Sequence, residues 1–370
     1  PLNGEGLAAR HFGWSTLLVD LAAEQAAAKP RHGDRYVRGM SDGRRPPSPR
    51  ADRVLPGVWR LRLPLPWPGV PHGNAWAVTA NDGIVLFDTG IGGEGTARLE
   101  QALAQAGFGL ADVRLVACTH AHADHYGLAG PIIEASGCEL WIHPAWEHVR
   151  AMVEDPEAAL EQRIEVARQS GVPPAALREY EQRRRGQNPG IDALVPPDRE
   201  LLPGVEVKTD LGSWQVHETP GHAPSHVCFH QPERGLLISG DHLLGRISLF
   251  YDYGHTPDPV GEFLAGLDEI APLDAELCLS GHGRPFRDVA AKIAATRAEA
   301  EAQLARVRRS LADGPKPAFE TVPDLVGTED LDPATAAWGL QIALAYLDHL
   351  ALAGEATRTE DGDSVRWALN

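Results

Sequence analysis

Methionine, cysteine and positive charge are what this 370-residue chain has little of. There are two methionines and four cysteines, and 34 lysines and arginines stand against 51 aspartates and glutamates, a net charge of −17. An acidic surface repels phosphate backbones and anionic lipid, which argues against general nucleic-acid binding and membrane-surface binding. Cys118, Cys138, Cys228 and Cys278 form no Cys-x-x-Cys pair. Three of them lie in or beside apolar, strand-like runs, so buried thiols are expected rather than disulfides. No apolar run approaches the roughly 20 residues of a membrane span. Leu17 to Leu21 is broken by Asp20 and no cleavage-site pattern follows, so a signal peptide is not expected. A cytoplasmic protein is the expectation.

What the chain does have is 43% hydrophobic residues, enough for a core, and one dense cluster of metal-binding side chains. Thr119 to Gly127 reads T-H-A-H-A-D-H-Y-G and carries His120, His122, Asp124 and His125 behind the apolar run Val113 to Cys118. Imidazole and carboxylate suit zinc and similar borderline metals. So short a loop cannot easily bring all four groups to one ion, but it can serve two adjacent ions. Further candidates follow, each at a glycine turn: His222 in T-P-G-H, Asp241 in S-G-D-H after Leu236 to Ile238, and His282 in S-G-H-G after Leu277 to Leu279. Strand ends converging on one edge of a sheet sandwich would gather them.

This ordered set resembles the metallo-β-lactamase-fold superfamily of hydrolases, over roughly Arg53 to Phe286. The resemblance implies an α/β fold, an αββα sandwich, with two zinc ions (iron or manganese also fit). His120, His122 and His222 would hold one metal. Asp124, His125 and His282 would hold the other, and Asp241 would bridge them. Asp88, in F-D-T-G, would orient the metal loop from behind, and His226 would support it. The implied chemistry is hydrolysis by a hydroxide bridging the metals, with Asp241 setting their spacing and Asp124 receiving the proton. The bridging aspartate separates the chain from true β-lactamases. T-P-G-H-A-P-S-H, at Thr219 to His226, is similar to the glyoxalase II pattern T-P-G-H-T-x-G-H, with Ser225 replacing glycine.

Taken in order, residues 1–52 read as a disordered or non-native extension, and residues 1–39 as upstream sequence ahead of Met40. The catalytic domain is expected over residues 53–286, with a first strand at Val54 to Leu63 and a stiff proline-rich loop from Pro64 to Asn74. That loop offers Trp67 either as a substrate wall or as packing for its own prolines. Residues 144–203 read as a helical insertion beside the cleft, whose Arg183, Arg184 and Arg185 form a solvated face. His143, His230 and His242 are expected to be structural. Tyr251 and Tyr253 share a face if their segment is extended, and are candidate substrate contacts.

Residues 287–370 give a long charged helix, an apolar helix and a terminal hairpin, which resembles the winged-helix appendage of some superfamily members. Residues 286–370 hold 9 basic and 14 acidic side chains, and the would-be recognition helix has no lysine or arginine. A packing or dimerisation role, with a homodimer as the partner, is expected instead. The leading expectation is therefore a dinuclear hydrolase of a small-molecule thioester, ester or lactone. The alternatives are an endoribonuclease of the winged-helix branch and a non-catalytic metal-binding protein.

Overall fold

The computed structural model describes residues 48–67 and 69–370. The expectations for residues 1–39 and for most of the 1–52 extension fall outside the described residues. The first sheet runs in sequence order through β1 (Arg50–Leu55), β2 (Val58–Trp67), β3 (Val70–Ala80), β4 (Gly83–Phe87), β5 (Val113–Ala117), β6 (Glu139–Ile142) and β7 (Arg199–Glu200). β1 to β4 pair antiparallel and β4 to β7 parallel. The second sheet holds β8 (Glu206–Thr209), β9 (Gly212–Glu218), β10 (Val227–Gln231), β11 (Leu236–Gly240) and β12 (Leu277–Ser280), with β8 and β12 at its edges.

Alternation along the strands builds the layers. Trp76, Val85 and Phe87 face Val207, Trp214 and Phe229 between the sheets. Their neighbours Ala75, Ile84 and Leu86 face the helices α1 (Gly95–Ala106), α2 (Ala123–Tyr126) and α3 (Ala129–Ser136). The insertion contributes α4 (Arg150–Glu154), α5 (Pro156–Gln169) and α6 (Pro174–Arg184). The outer face of the second sheet, with Cys228, Leu237 and Cys278, packs on α7 (Pro259–Ile270) and α8 (Val289–Ser310). The order of layers is αββα.

The remainder comprises β13 (Lys316–Pro317), α9 (Val322–Val326), α10 (Pro333–Leu352), β14 (Ala356–Asp361) and β15 (Ser364–Leu369), the three strands forming a sheet in the order β13, β15, β14. This region has no core of its own. One continuous cluster runs from Cys228 and Phe263 through Val307 and Leu347 to Trp367, and takes in Ala167 and Leu177 from the insertion.

Two local expectations need correction. The single strand at Val54 to Leu63 is two, because Gly57, at φ 81°, turns the chain between β1 and β2; ordered pairing begins at Arg50, ahead of Arg53. The expected loop at Pro64 to Asn74 is mostly strand, with Pro64 opposite His72 and Trp67 opposite Val70. β1 pairs with β2 only as far as Arg62, so Pro64 and Pro66 lie where one side of β2 needs no donor. The four cysteines are buried and unpaired, and no helix of the described residues is long and apolar enough to cross a membrane.

Candidate metal centre

Every side chain of the expected cluster follows the C-terminal end of a strand, on one edge of the sandwich. Asp88 follows β4, the Thr119–Gly127 loop follows β5, His222 follows β9, Asp241 follows β11 and His282 follows β12. Close approach of these loops depends on glycine. A Cβ on Gly281 would stand 2.2 Å from Asp241 Oδ1, and one on Gly240 would stand 2.5 Å from His226 Nε2.

His122 Nδ1 lies 3.1 Å from both His120 Nε2 and His222 Nε2. Nitrogens on a tetrahedral zinc ion at 2.0–2.1 Å would stand roughly 3.3 Å apart. His282 Nε2 lies 3.3 Å from Asp124 Oδ2 and 3.0 Å from Asp241 Oδ2. His125 Nε2 is 3.5 Å from each of those two carboxylates, and His222 Nε2 is 3.7 Å from Asp241. Asp241 thus touches both groups of ligands.

The remaining ring nitrogens are already engaged, which decides the tautomers. His125 Nδ1 meets Asp88 Oδ2 at 2.9 Å, and His282 Nδ1 donates to the His72 carbonyl at 3.1 Å. His120 Nδ1 meets Thr119 Oγ1 at 2.9 Å, and that hydroxyl lies 3.0 Å from both oxygens of Asp88. Each of these three rings therefore presents its Nε2 to the cluster. Asp88 is buried at φ 62° and also accepts the Thr119 backbone N–H at 2.7 Å. His226 Nε2 accepts the Asp241 backbone N–H at 3.1 Å.

The electrostatics divide the cluster into two halves. Burial and the neighbouring imidazoles hold His120 far below its ordinary pKa and His222 at about 3, so both are neutral. In the other half burial opposes charge on His282, but Asp241 and Asp124 outweigh it and raise the pKa to about 10. The same carboxylates, with Asp88, hold His125 well above its ordinary value despite its burial. Asp124 Oδ2, Asp241 Oδ1 and His125 Nε2 are buried without a hydrogen-bond partner. A neutral three-nitrogen group beside an acidic group with orphaned oxygens is a donor set able to bind metal ions. In the second half the cation would replace the protons drawn onto the imidazoles.

The sequence reading missed the flank of this site. Asp252 is buried, and its Oδ2 lies 3.4 Å from His122 Nε2, 3.6 Å from His148 Nε2 and 3.7 Å from His255 Nε2. His122, His148 and Asp252 could themselves approach a cation. The only signal in the sequence was Asp252's place between Tyr251 and Tyr253. The tyrosines themselves do not serve as expected, because the segment is not extended. Tyr251 is fully buried against α10, its hydroxyl 3.1 Å from Tyr346 Oη and its carbonyl accepting from Gln341. Tyr253 packs on the same core. Ser225 was read as a departure from pattern; its Oγ accepts the Ala121 N–H at 3.1 Å and ties down the metal loop. Trp67 sits half-buried at the tip of the β2–β3 hairpin. His143 caps its turn and meets Glu218, His242 stacks on Phe263, and Arg183 and Arg185 pair with glutamates. His230 is buried on β10.

Known proteins carry the same architecture. The family description "Metallo-beta-lactamase superfamily" matches residues 68–282, more than half of the chain. A probable metallo-hydrolase of Bacillus subtilis, YqjP, is 28% identical over 255 residues, 66% of this chain and 77% of the relative. The hydroxyacylglutathione hydrolase GloC of Haemophilus influenzae is 26% identical over 178 residues, 46% of this chain and 69% of that one. The crystal structure of a beta-lactamase domain protein from Burkholderia ambifaria superposes with a TM-score of 0.73 at 31% identity, covering 86% of this chain and 94% of its own. From the ligand-bearing strand ends to the family match over residues 68–282, the chain belongs to the metallo-beta-lactamase superfamily.

Proposed function

We propose that the protein is a dinuclear metal-dependent hydrolase of a small-molecule thioester, ester or lactone. The observation that carries this reading is the pair of adjoining ligand groups, His120–His122–His222 and Asp124–His125–His282, with Asp241 in contact with both. When bound, two divalent ions, zinc in the leading reading, would supply a water acidified to near neutral pH and a Lewis acid for the substrate oxygen. The chain's own residues hold that arrangement rigid. Asp241 is fixed through its backbone by His226, His125 by Asp88, and His120 by Thr119. Asp124, whose Oδ2 lies 3.3 Å from His282 Nε2, is the residue we assign to take a proton from the attacking water.

Resemblance to a hydroxyacylglutathione hydrolase supports a thioester, but only over 46% of the chain. Trp67 remains our candidate for a substrate wall. The element order α8, β13, α9, α10, β14, β15 supports reading the C-terminal region as winged-helix-like. Its net charge of −5 over residues 286–370 weighs against an RNA substrate.

The test is turnover of S-lactoylglutathione, lactones and simple acyl esters by the zinc-loaded protein, with bound metal measured alongside. Asp241→Ala and His122→Ala should each abolish turnover and lower metal content. Full activity in either variant would overturn the assignment.

A further inference from the structure

Against the loop that follows His282 lies a cavity of about 520 Å³ whose lining is unlike the rest of this acidic molecule. Arg50, Arg60, Arg62 and Arg284 line it with His72, and Asp52 is its one carboxylate. One wall of the cavity is formed by the inner faces of β1, β2 and β3. Inner-face positions of β2 change there from Val58 to Arg60 and Arg62, and those of β3 from Val78 and Trp76 to Asn74 and His72. The wall opposite is the loop that follows His282: Arg60 Nη1 and Asn74 Nδ2 donate to the Gly283 carbonyl at 2.9 and 3.0 Å. Arg284 is the next residue.

Inner-face arginines in a sandwich need a reason, since burying a guanidinium costs free energy unless it is paired. Asp52 accounts for part of the charge, through Arg50 and Arg60 at 2.7 Å each. Arg62 and Arg284 have no ion pair among the described residues. Three buried donors around the cavity, Arg60 Nε, Arg62 Nε and His72 Nε2, have no hydrogen-bond partner, although the Arg60 side chain is only 9% exposed. Burial and the neighbouring Arg62 hold His72 neutral, with a pKa of about 4, so the positive charge there is that of the arginines.

We propose that this pocket binds a phosphate-class oxyanion, and that in the hydrolase reading above it seats the phosphorylated end of the acyl substrate next to the metals. Four guanidiniums against one carboxylate leave more positive charge than a single carboxylate would neutralise. A phosphate group carries roughly −1.5 to −2 at neutral pH and accepts bidentate bonds from guanidinium forks. The overall charge of −17 opposes a polynucleotide.

The pocket is tested by calorimetric titration of inorganic phosphate and pyrophosphate into the full-length, metal-loaded protein. Arg284→Ala, Arg62→Ala and the charge-retaining Arg62→Lys are compared with the parent. Phosphate can also meet the metals, so the pocket's share is the binding lost in the arginine variants at unchanged metal content. About a tenfold loss of affinity is expected for each alanine variant, and less for Arg62→Lys. A second arm compares two acyl thioesters, one on a phosphorylated thiol and one on glutathione. The alanine variants should raise KM for the phosphorylated substrate and spare kcat and the glutathione thioester. Competitive inhibition by pyrophosphate that is weakened in the arginine variants would place the oxyanion on the substrate; non-competitive modulation weakened in the same variants would make it a free effector of the same pocket. Equal phosphate binding by parent and variants would overturn the proposal, as would RNA binding that depends on these arginines while pyrophosphate has no effect. Phosphate binding without hydrolysis of any acyl substrate would sink the hydrolase reading and leave the pocket standing.

Discussion

Asp252 shows how much a single carboxylate can organise. It faces His122, His148 and His255, and its bond to His122 Nε2 leaves Nδ1 as the lone pair aimed at His120 and His222. Carboxylates that orient a ligating imidazole typically contribute 10–100-fold in metal affinity. Asp252→Ala should therefore weaken metal retention by about 10–100-fold in a chelator competition. Retention equal to the parent's would show that His122 is held by packing alone. The residues that converge on the cluster were legible, because His-x-His-x-Asp-His and the later T-P-G-H, G-D-H and G-H-G turns carry metal-binding side chains. Asp252 was not, since nothing about one aspartate between two tyrosines says which of the three faces the cluster.

Among the elements, α10 is the one whose burial has the clearest consequence. Its residues Gly339 to Leu347 are all buried, and Asp348 follows them. Burial raises the Asp348 carboxyl to about 7; Arg358 works against that shift and Asp258 adds to it. A carboxyl whose folded-state pKa lies above its unfolded value costs nothing at low pH, where both states are protonated. It destabilises the fold increasingly as pH rises through the folded pKa. Asp348→Asn should accordingly raise the urea midpoint at pH 8 and raise it far less at pH 4.5. A gain of the same size at both pH values would show that ionisation is not the cause. The run of apolar residues predicted this helix. Its partner was not predicted, because a helix apolar on most sides carries no mark of what covers each side.

For the whole molecule, the C-terminal region shares one core with the sandwich. The Tyr251–Tyr346 and Gln341–Tyr251 hydrogen bonds, with Phe263 packed edge-on against Tyr251, join α10 to the segment that carries Asp252. Removing residues 287–370 would take α8 and α10 out of the cluster that buries Tyr251, Val260 and Phe263 and leave apolar surface open. A chain ending at residue 286 should be insoluble, or lose cooperative unfolding and metal retention together. A soluble, metal-retaining truncation would show the catalytic sandwich to be autonomous. The insertion takes part in this joint, since the Phe319 N–H donates to the Ser170 carbonyl at 2.9 Å.

By itself the sequence determined the class of fold and the side-chain types gathered at the candidate centre. Ligand types, their order and the apolar runs before them are local properties, and they require strands that deliver loops to a common edge. Tertiary structure alone decided which surfaces meet. Arg60 and Arg62 look like ordinary alternating polar positions until the loop after His282 is seen to stand opposite them across a cavity. Tyr251 looks like a substrate contact until α10 covers it. Burial and pairing depend on distant segments arriving at one place, and no local pattern records that arrival.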